Sequence, residues 1–366
     1  MKYALIGCGR VSPNHIKAAK ENGFEIAAVC DIRGGNIDDM FARSVLMPEE
    51  TEGIRRYADY REMVRAERPE LVSIALPSLL HAEAALFVIN EGVNVIVEKP
   101  IAMSMAEADA IVEAADRTGV VVSACHQNRF NKAVQEMRAA LEAGRFGTIS
   151  HGAVTVRWSR DEAYYAQADW RGRWASDGGT LMNQCIHGID LLRWMCGDEL
   201  VKVYGVTRRA LHPYIEAEDV GTAVLEFADG TIATVEGSVN LADDDLEEHL
   251  SLFGENGSIK LGGTSANAIE YWHFKDAPEE TKDGFHEKTL NVYGNGHTSL
   301  FRDVADAVAE GRAPYVDARA GRRALETVLA IYQSSFTGQP VTLPLGNVAS
   351  KDFEGFFDGQ ETGNRQ

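Results

Sequence analysis

The sequence predicts an α/β domain with a doubly wound parallel sheet, followed by an α+β domain built on a large, mainly antiparallel sheet. In the first third, short continuous apolar runs alternate with helical segments, the pattern of a parallel sheet covered on both faces. From about residue 148 the texture changes to alternating β-branched stretches, broken by turn signals such as Ala228-Asp-Gly230 and Gly254-Glu-Asn-Gly257, the pattern of antiparallel strands. A chain of 366 residues with 45% apolar content is long enough for two cores. The boundaries fall at residues 1–125 for the first domain and 126–345 for the second, with a loose polar tail over 346–366.

Lys2–Ile6 reads as a strand and runs at once into Gly7-Cys-Gly9-Arg10-Val11-Ser12, with Pro13 placed to open a helix. Gly7 and Gly9 allow a tight turn, so that Arg10, Val11 and the helix start can approach a pyrophosphate. Ser12 takes the place of a third glycine. The next strand, Glu25–Cys30, ends in Asp31, the acid expected to bind the adenosine ribose, with Arg33 beside it. Strand, glycine turn, helix, strand and acid together predict a dinucleotide, and Asp31 favours NAD over NADP because a 2′-phosphate would meet a like charge.

Further strands are expected at residues 71–76, 93–97 and 120–124. Ligands bind at the carboxyl ends of such strands, which places Pro77, His81, Glu98, Lys99, Gln127 and Asn128 at the cofactor, with Arg129 near the nicotinamide. Lys99 lies between a strand end and Pro100, less free than an ordinary surface lysine.

The stretch from Asp177 to Cys196 reads as a glycine turn and a buried helix ending at Gly197, apolar around most of its circumference. Asn183 and His187 are four apart, and Asp190 follows three later, so the three stack along one face. Such a polar stripe faces partners or a wet cleft; the plainer alternative is a core histidine bonded to Asp190. Strands over 148–160, 200–210, 219–227, 231–240, 249–254, 258–261 and 269–274 supply the sheet this helix packs on. Helices over 299–310 and 318–333 follow. The sheet's other face calls for a cover, which predicts a homo-oligomer, dimer or tetramer.

Arg157, Arg160, Tyr164 and Tyr165, then Trp170, Arg171, Arg173 and Trp174, gather arginines among aromatics in a chain of formal charge −19. That mixture suits a ligand with a flat ring and anionic groups. Trp170 and Arg171 are expected at the cofactor, and Arg157, Arg160, Tyr164, Tyr165 and Arg173 at the substrate; the alternative is a solvated loop or a subunit contact. His212, Tyr214 and Asn267 are weaker candidates for the same pocket. His126, His249, His286 and His297 have no metal-ligand spacing, so no catalytic metal is expected. The acidic balance argues against nucleic acid or an anionic membrane as partner. Five cysteines without CxxC spacing read as small buried side chains in a reducing compartment, and the absence of a leader or long apolar run predicts a cytoplasmic protein.

Gly7-x-Gly9 with His15, Glu98-Lys99-Pro100, and the Gly178-Gly179 to His187 helix together resemble the glucose-fructose oxidoreductase, inositol dehydrogenase and rhizopine catabolism family (Gfo/Idh/MocA), over nearly the whole chain to about residue 345. The resemblance implies a Rossmann domain followed by an open-faced sheet domain, and reversible hydride transfer at a sugar or cyclitol hydroxyl. It maps the family's catalytic lysine onto Lys99 and its histidine onto His187. The family's usual aspartate falls on Asn183, which leaves Asn183 to position the hydroxyl by hydrogen bonding. The run from Arg157 to Gln184 is most similar to the branch of UDP-N-acetyl-glucosaminuronate and UDP-N-acetylglucosamine 3-dehydrogenases.

The resulting expectation is a base at His187 for the alcohol proton, an ammonium at Lys99 for the developing alkoxide, and substrate contacts from Arg157, Arg160, Tyr164, Tyr165, Arg173 and Asn183. The alternatives are a myo-inositol or free-sugar dehydrogenase, an oxidoreductase, epimerase or glycosidase that recycles bound NAD internally, and a non-catalytic NAD or sugar sensor.

Overall fold

The computed structural model describes residues 1–197, 199–289 and 293–359. The chain forms two compact units: 1–102, 106–127 and 295–322 in the first, and 103–105, 128–294 and the chain from 323 in the second.

The first unit is built on six strands: β1 (Lys2–Ile6), β2 (Glu25–Cys30), β3 (Arg55–Tyr57), β4 (Leu71–Ile74), β5 (Asn94–Val97) and β6 (Val122–Ala124). Their order is β3-β2-β1-β4-β5-β6, all parallel, the doubly wound arrangement whose chain direction switches between β1 and β4. The central strands are buried almost end to end, because helices cover both faces of such a sheet.

Helix Gly296–Glu310 belongs to this unit rather than to the second, as the boundary at residue 125 had implied. Its Leu300, Phe301 and Val304 are buried, and Phe301 lies 5.8 Å from the Tyr3 ring and 5.5 Å from that of His15, on helix Ser12–Glu21. Aromatic burial of this kind joins segments nearly 300 residues apart in a way no local pattern announces.

The second unit carries β7 (Ile149–Arg157), β8 (Leu200–Arg208), β9 (Val220–Phe227), β10 (Ile232–Ser238), β11 (Glu247–Gly254), β12 (Gly257–Gly262), β13 (Ala268–Phe274), β14 (Phe285–His286) and β15 (Val341–Thr342). They pair in the order β14-β13-β12-β11-β7-β10-β9-β8-β15, antiparallel except where β7 and β10 run side by side. Alternation along β7 buries Val154 and Val156 on the face covered by helix Ile186–Cys196, and sends Arg157 to the opposite, open face. Exposed Tyr204, Val206 and Val224 share that open face.

The expected loose tail is partly fixed. Ser350–Phe353 forms a 3-10 turn, and Phe353 and Phe357 are buried, with Phe357 stacked 6.0 Å from the Trp174 ring. All five cysteines are buried, and none forms a disulfide. Among the described residues no helix is long and apolar enough to cross a membrane.

Candidate active site

In the first unit, Gly7 sits at the β1–β4 switch point with φ +91°, and a Cβ there would lie 2.4 Å from the carbonyl oxygen of Ala75. Only glycine fits. The Cys8 N–H donates to Asp31 Oδ2 (3.0 Å), while Asp31 Oδ1 accepts from the Arg33 N–H (2.9 Å) and Asn36 Nδ2 (3.0 Å). Ser12, in the third glycine's place, is fully buried and turns its hydroxyl back onto the Gly9 carbonyl at 2.7 Å. Helix Ser12–Glu21 begins without a side-chain cap, so its first N–H groups and dipole are available to an anion. A cradle that a single Cβ would fill, an uncapped helix start and an acid at the end of β2 fit a dinucleotide.

At the end of β5, Glu98 is buried and Lys99 half-buried. Glu98 Oε1 accepts from His15 Nε2 at 2.9 Å, with His297 Nε2 at 3.8 Å, and Glu98 Oε2 receives the Lys99 N–H at 3.2 Å. Burial alone would raise this carboxyl; the two imidazoles outweigh it and hold Glu98 well below the usual carboxylate range. Cys125 adjoins the same group, and burial followed by the Glu98 charge pushes its thiol well up. His81 faces the Pro100 carbonyl through Nδ1 (2.7 Å) and the Leu76 carbonyl through Nε2 (2.8 Å), so it braces the ends of β4 and β5 rather than offering an atom to the cofactor. The Gln127 carbonyl packs where a Cβ on Gly296 would be, at 1.8 Å.

In the second unit, Gly178 has φ +71°, and a Cβ on Gly179 would lie 1.6 Å from Glu218 Oε2. Glu218 Oε1 accepts the Leu181 N–H and the Tyr332 hydroxyl, both at 2.8 Å, and the Tyr332 oxygen receives the N–H groups of Gly179 and Met182. The start of the histidine helix is thus tied by one acid and one phenol. Burial pushes Glu218 up to about 8 despite those bonds.

The expected single helix is two, Thr180–Asn183 and Ile186–Cys196, separated where the Cys185 N–H reaches the Thr180 carbonyl five residues back, a π-type bulge. Asn183 Nδ2 donates to Asp177 Oδ1, whose other oxygen takes the Gly172 N–H at 2.8 Å. That orientation makes the Asn183 amide oxygen the acceptor on its far side.

His187 is buried in the second helix. Asp190, three residues on, is held by Arg129 through two bonds of 2.7 Å, and that guanidinium stacks 4.6 Å from the Trp194 ring. Arg129, expected beside the nicotinamide, is therefore committed to a buried ion pair. Asn128 donates to Glu248 Oε2 at 3.2 Å. Glu248 lies under this helix, where a Cβ on Gly188 would come within 3.2 Å of Oε1, and burial, offset in part by Asn128, pushes it up to about 8.

The loop before the helix converges on Tyr164. Its hydroxyl receives Arg171 and, at 3.3 Å, Gln184 Nε2; the Arg171 guanidinium lies 4.3 Å from the Tyr164 ring and 4.9 Å from that of Trp170. Arg160 lies 5.2 Å from the same phenol and pairs with Asp245 at 2.7 Å. Tyr165 is buried, His212 is taken by Asp219 (3.0 Å) and the Arg160 carbonyl (2.8 Å), and Arg173 is exposed, paired with Glu216 at 2.9 Å. Asn267 Nδ2 donates to the Glu287 carbonyl at 2.7 Å.

Arg157 does not join them. It is on the open face, bound twice to Glu236 (2.7 and 2.8 Å) and once to Glu247 (2.5 Å), because strand parity turns it away from the histidine helix. His297, which has no metal-ligand spacing in the sequence, joins the Glu98 cluster; its partners His15 and Glu98 lie too far off in the chain for spacing to reveal.

Two family models match the chain: the NAD-binding Rossmann fold of an oxidoreductase family over residues 1–126, and the GFO/IDH/MocA C-terminal domain over residues 134–260. The WlbA dehydrogenase from Bordetella pertussis, crystallised with NADH and UDP-GlcNAcA, is 32% identical, with a TM-score of 0.82 over 94% of this chain and 99% of its own. The WlbA enzyme from Chromobacterium violaceum, with the same two ligands, is 30% identical with a TM-score of 0.83 over 94% and 96%. Inositol 2-dehydrogenase 2 of Saccharopolyspora erythraea is 29% identical over 76% of this chain and 78% of its own.

Proposed function

Because the chain belongs to the GFO/IDH/MocA oxidoreductases and is an NAD-dependent dehydrogenase of sugar or polyol hydroxyls, we propose that its substrate is an anionic, nucleotide-linked sugar, oxidised at C3. The observation that carries this reading is the Tyr164–Arg171–Gln184 cluster at the start of the histidine helix; in this reading Arg171, expected at the cofactor, serves the substrate instead. A guanidinium stacked on aromatic rings suits a flat base and a phosphate or carboxylate, and the likeness to two WlbA enzymes supports the same class.

Gly7, Gly9, Arg10, Val11 and Asp31 would hold the cofactor at the β1–β4 switch point, and NAD, when bound, supplies the acceptor for the hydride. Neutral His187 takes the hydroxyl proton, and the Lys99 ammonium stabilises negative charge on the substrate oxygen. Asn183, its amide turned by Asp177, accepts a hydrogen bond from the substrate and so orients it. Exposed Tyr204, Val206 and Val224 on the open sheet support a homo-oligomer formed through that face, which sedimentation would test.

The decisive experiment is an NADH-formation screen of UDP-GlcNAcA, UDP-GlcNAc, myo-inositol and free sugars, with the product's keto position located by NMR. Turnover of a nucleotide sugar at C3 is expected. Turnover of free polyols alone would replace this substrate class with that of the inositol dehydrogenase relative.

A further inference from the structure

We propose that Glu98 is a buried anionic anchor for Lys99, and that His15 and His297 are positioning residues that keep its charge in place. The proposal rests on the reading that Lys99 serves the reaction.

Four segments of the first unit meet at this carboxylate: helix Ser12–Glu21 brings His15, the end of β5 brings Glu98, the residue after β6 brings Cys125, and helix Gly296–Glu310 brings His297. His15 and Cys125 are fully buried, His297 is 5% exposed and Glu98 6%. A carboxylate this far from water is costly unless donors surround it. Here one oxygen takes the His15 Nε2–H at 2.9 Å and the other takes the backbone N–H of Lys99 at 3.2 Å.

That second bond is the link to the reaction, because it ties the peptide of Lys99 to a group fixed by two distant helices. Glu98 and Lys99 also bear oppositely on their shared neighbours Cys125 and His81, the carboxylate raising both and the ammonium lowering both. The side chain thereby fixes both the backbone and the local field of Lys99. Were stability the only requirement, an apolar residue would serve with less desolvation.

The donor set is also that of a zinc site, but 2.9 Å between His15 Nε2 and Glu98 Oε1 is a hydrogen-bond distance. Tetrahedral zinc with bonds of about 2.0–2.1 Å spaces its ligand atoms about 3.3 Å apart.

The test compares H15Q with H15N. A glutamine amide nitrogen reaches the place of Nε2, whereas an asparagine nitrogen falls near Nδ1. Turnover on the best sugar of the screen is expected to drop about 100-fold in H15N and to recover to within about fivefold of wild type in H15Q, with NADH affinity changed less than about threefold in either. Independently of any substrate, hydrogen exchange of the peptide spanning residues 97–102, which contains the Lys99 amide, should quicken in H15N and in E98A but not in H15Q. Unchanged exchange in H15N and E98A, equal loss of turnover in H15Q and H15N, or one equivalent of zinc in the purified wild-type protein would each overturn the anchor. A wild type that oxidises no sugar in the screen would sink the substrate reading and leave the exchange result to decide the anchor alone.

Discussion

Glu98 in the first unit and Glu218 in the second are comparably buried glutamates with opposite charge states. Glu98 has donors on both oxygens and stays ionised. Glu218 has its donors on Oε1, while Oε2 lies against Gly179 with no hydrogen-bond partner, and it is held near 8. Glu248 resembles Glu218: one bond from Asn128, Oε1 without a partner, and a value of about 8. Residue type and burial are common to all three, so the kind and placement of the donors decide the charge: two imidazoles face Glu98, whereas a phenol and a backbone N–H meet Glu218 and one amide meets Glu248. The difference tracks the job. Beside Lys99 the chain maintains a fixed negative charge; under the histidine helix it maintains neutral acids that pack tightly against glycine.

The largest effects should fall on the two groups that adjoin these acids. Lys99→Ala and His187→Ala are each expected to lower kcat by about a thousandfold or more while NADH titration still shows binding. An unchanged kcat in either variant removes that residue from the mechanism and with it the reason for the charge contrast. Next comes Gly179→Ala. Glu218 is pinned by Tyr332 and the Leu181 N–H and has no room to yield to a methyl carbon 1.6 Å from Oε2, so urea denaturation should show a loss of about 3 kcal/mol. Stability equal to wild type would mean that Glu218 is mobile rather than pinned.

The contrast also sets the pH dependence of stability. Glu218 and Glu248 are protonated in the folded chain up to about 8 and ionised in the unfolded chain above the ordinary carboxyl value of about 4.3. The folded state therefore binds more protons between those limits, and stability falls as pH rises through that window, by about 2 kcal/mol per group between pH 6 and 7.5. Glu98 works the other way: its stabilisation is present above the ordinary carboxyl value and is lost as pH falls toward its depressed one. His81 and His297, both lowered by burial, oppose the fall with rising pH below about pH 6.5, so melting scans should decline most clearly above it, and Glu218→Gln or Glu248→Gln should flatten this alkaline limb without moving the acid one. An alkaline limb that keeps its slope in both variants would show that these carboxyls ionise within the fold.

Much of this was legible from residues alone, and most of the exceptions are contacts between segments remote in the chain. The strands of both sheets carry their own apolar signals, and Gly7, Asp31 and Lys99 announce themselves by position relative to those strands. The edge strand Arg55–Tyr57 has two exposed arginines and only Tyr57 to signal it. His15, Glu98, Cys125 and His297 lie in segments that only the folded chain brings together, and the Arg129–Asp190 pair spans 61 residues. Asn183 and His187 were placed on one helix because spacing cannot show the bulge at Cys185. Arg157 failed for a different reason: aromatic and basic neighbours suggested a binding loop, whereas strand parity had already fixed its face.

That parity supports the smallest effect. Arg157→Ala should leave kcat and KM within about twofold of wild type, because Arg157 lies on the side of β7 opposite Val154 and Val156, which touch the histidine helix. The three bonds it makes are to Glu236 and Glu247 near the surface, where screening limits such pairs to under about 1 kcal/mol. Removing the guanidinium also leaves two carboxylates facing each other, so the small loss of stability should shrink as salt is added. A KM for the nucleotide sugar raised about tenfold or more would put Arg157 in the substrate site, and would mean that the strand turns its odd-numbered residues toward the chemistry after all.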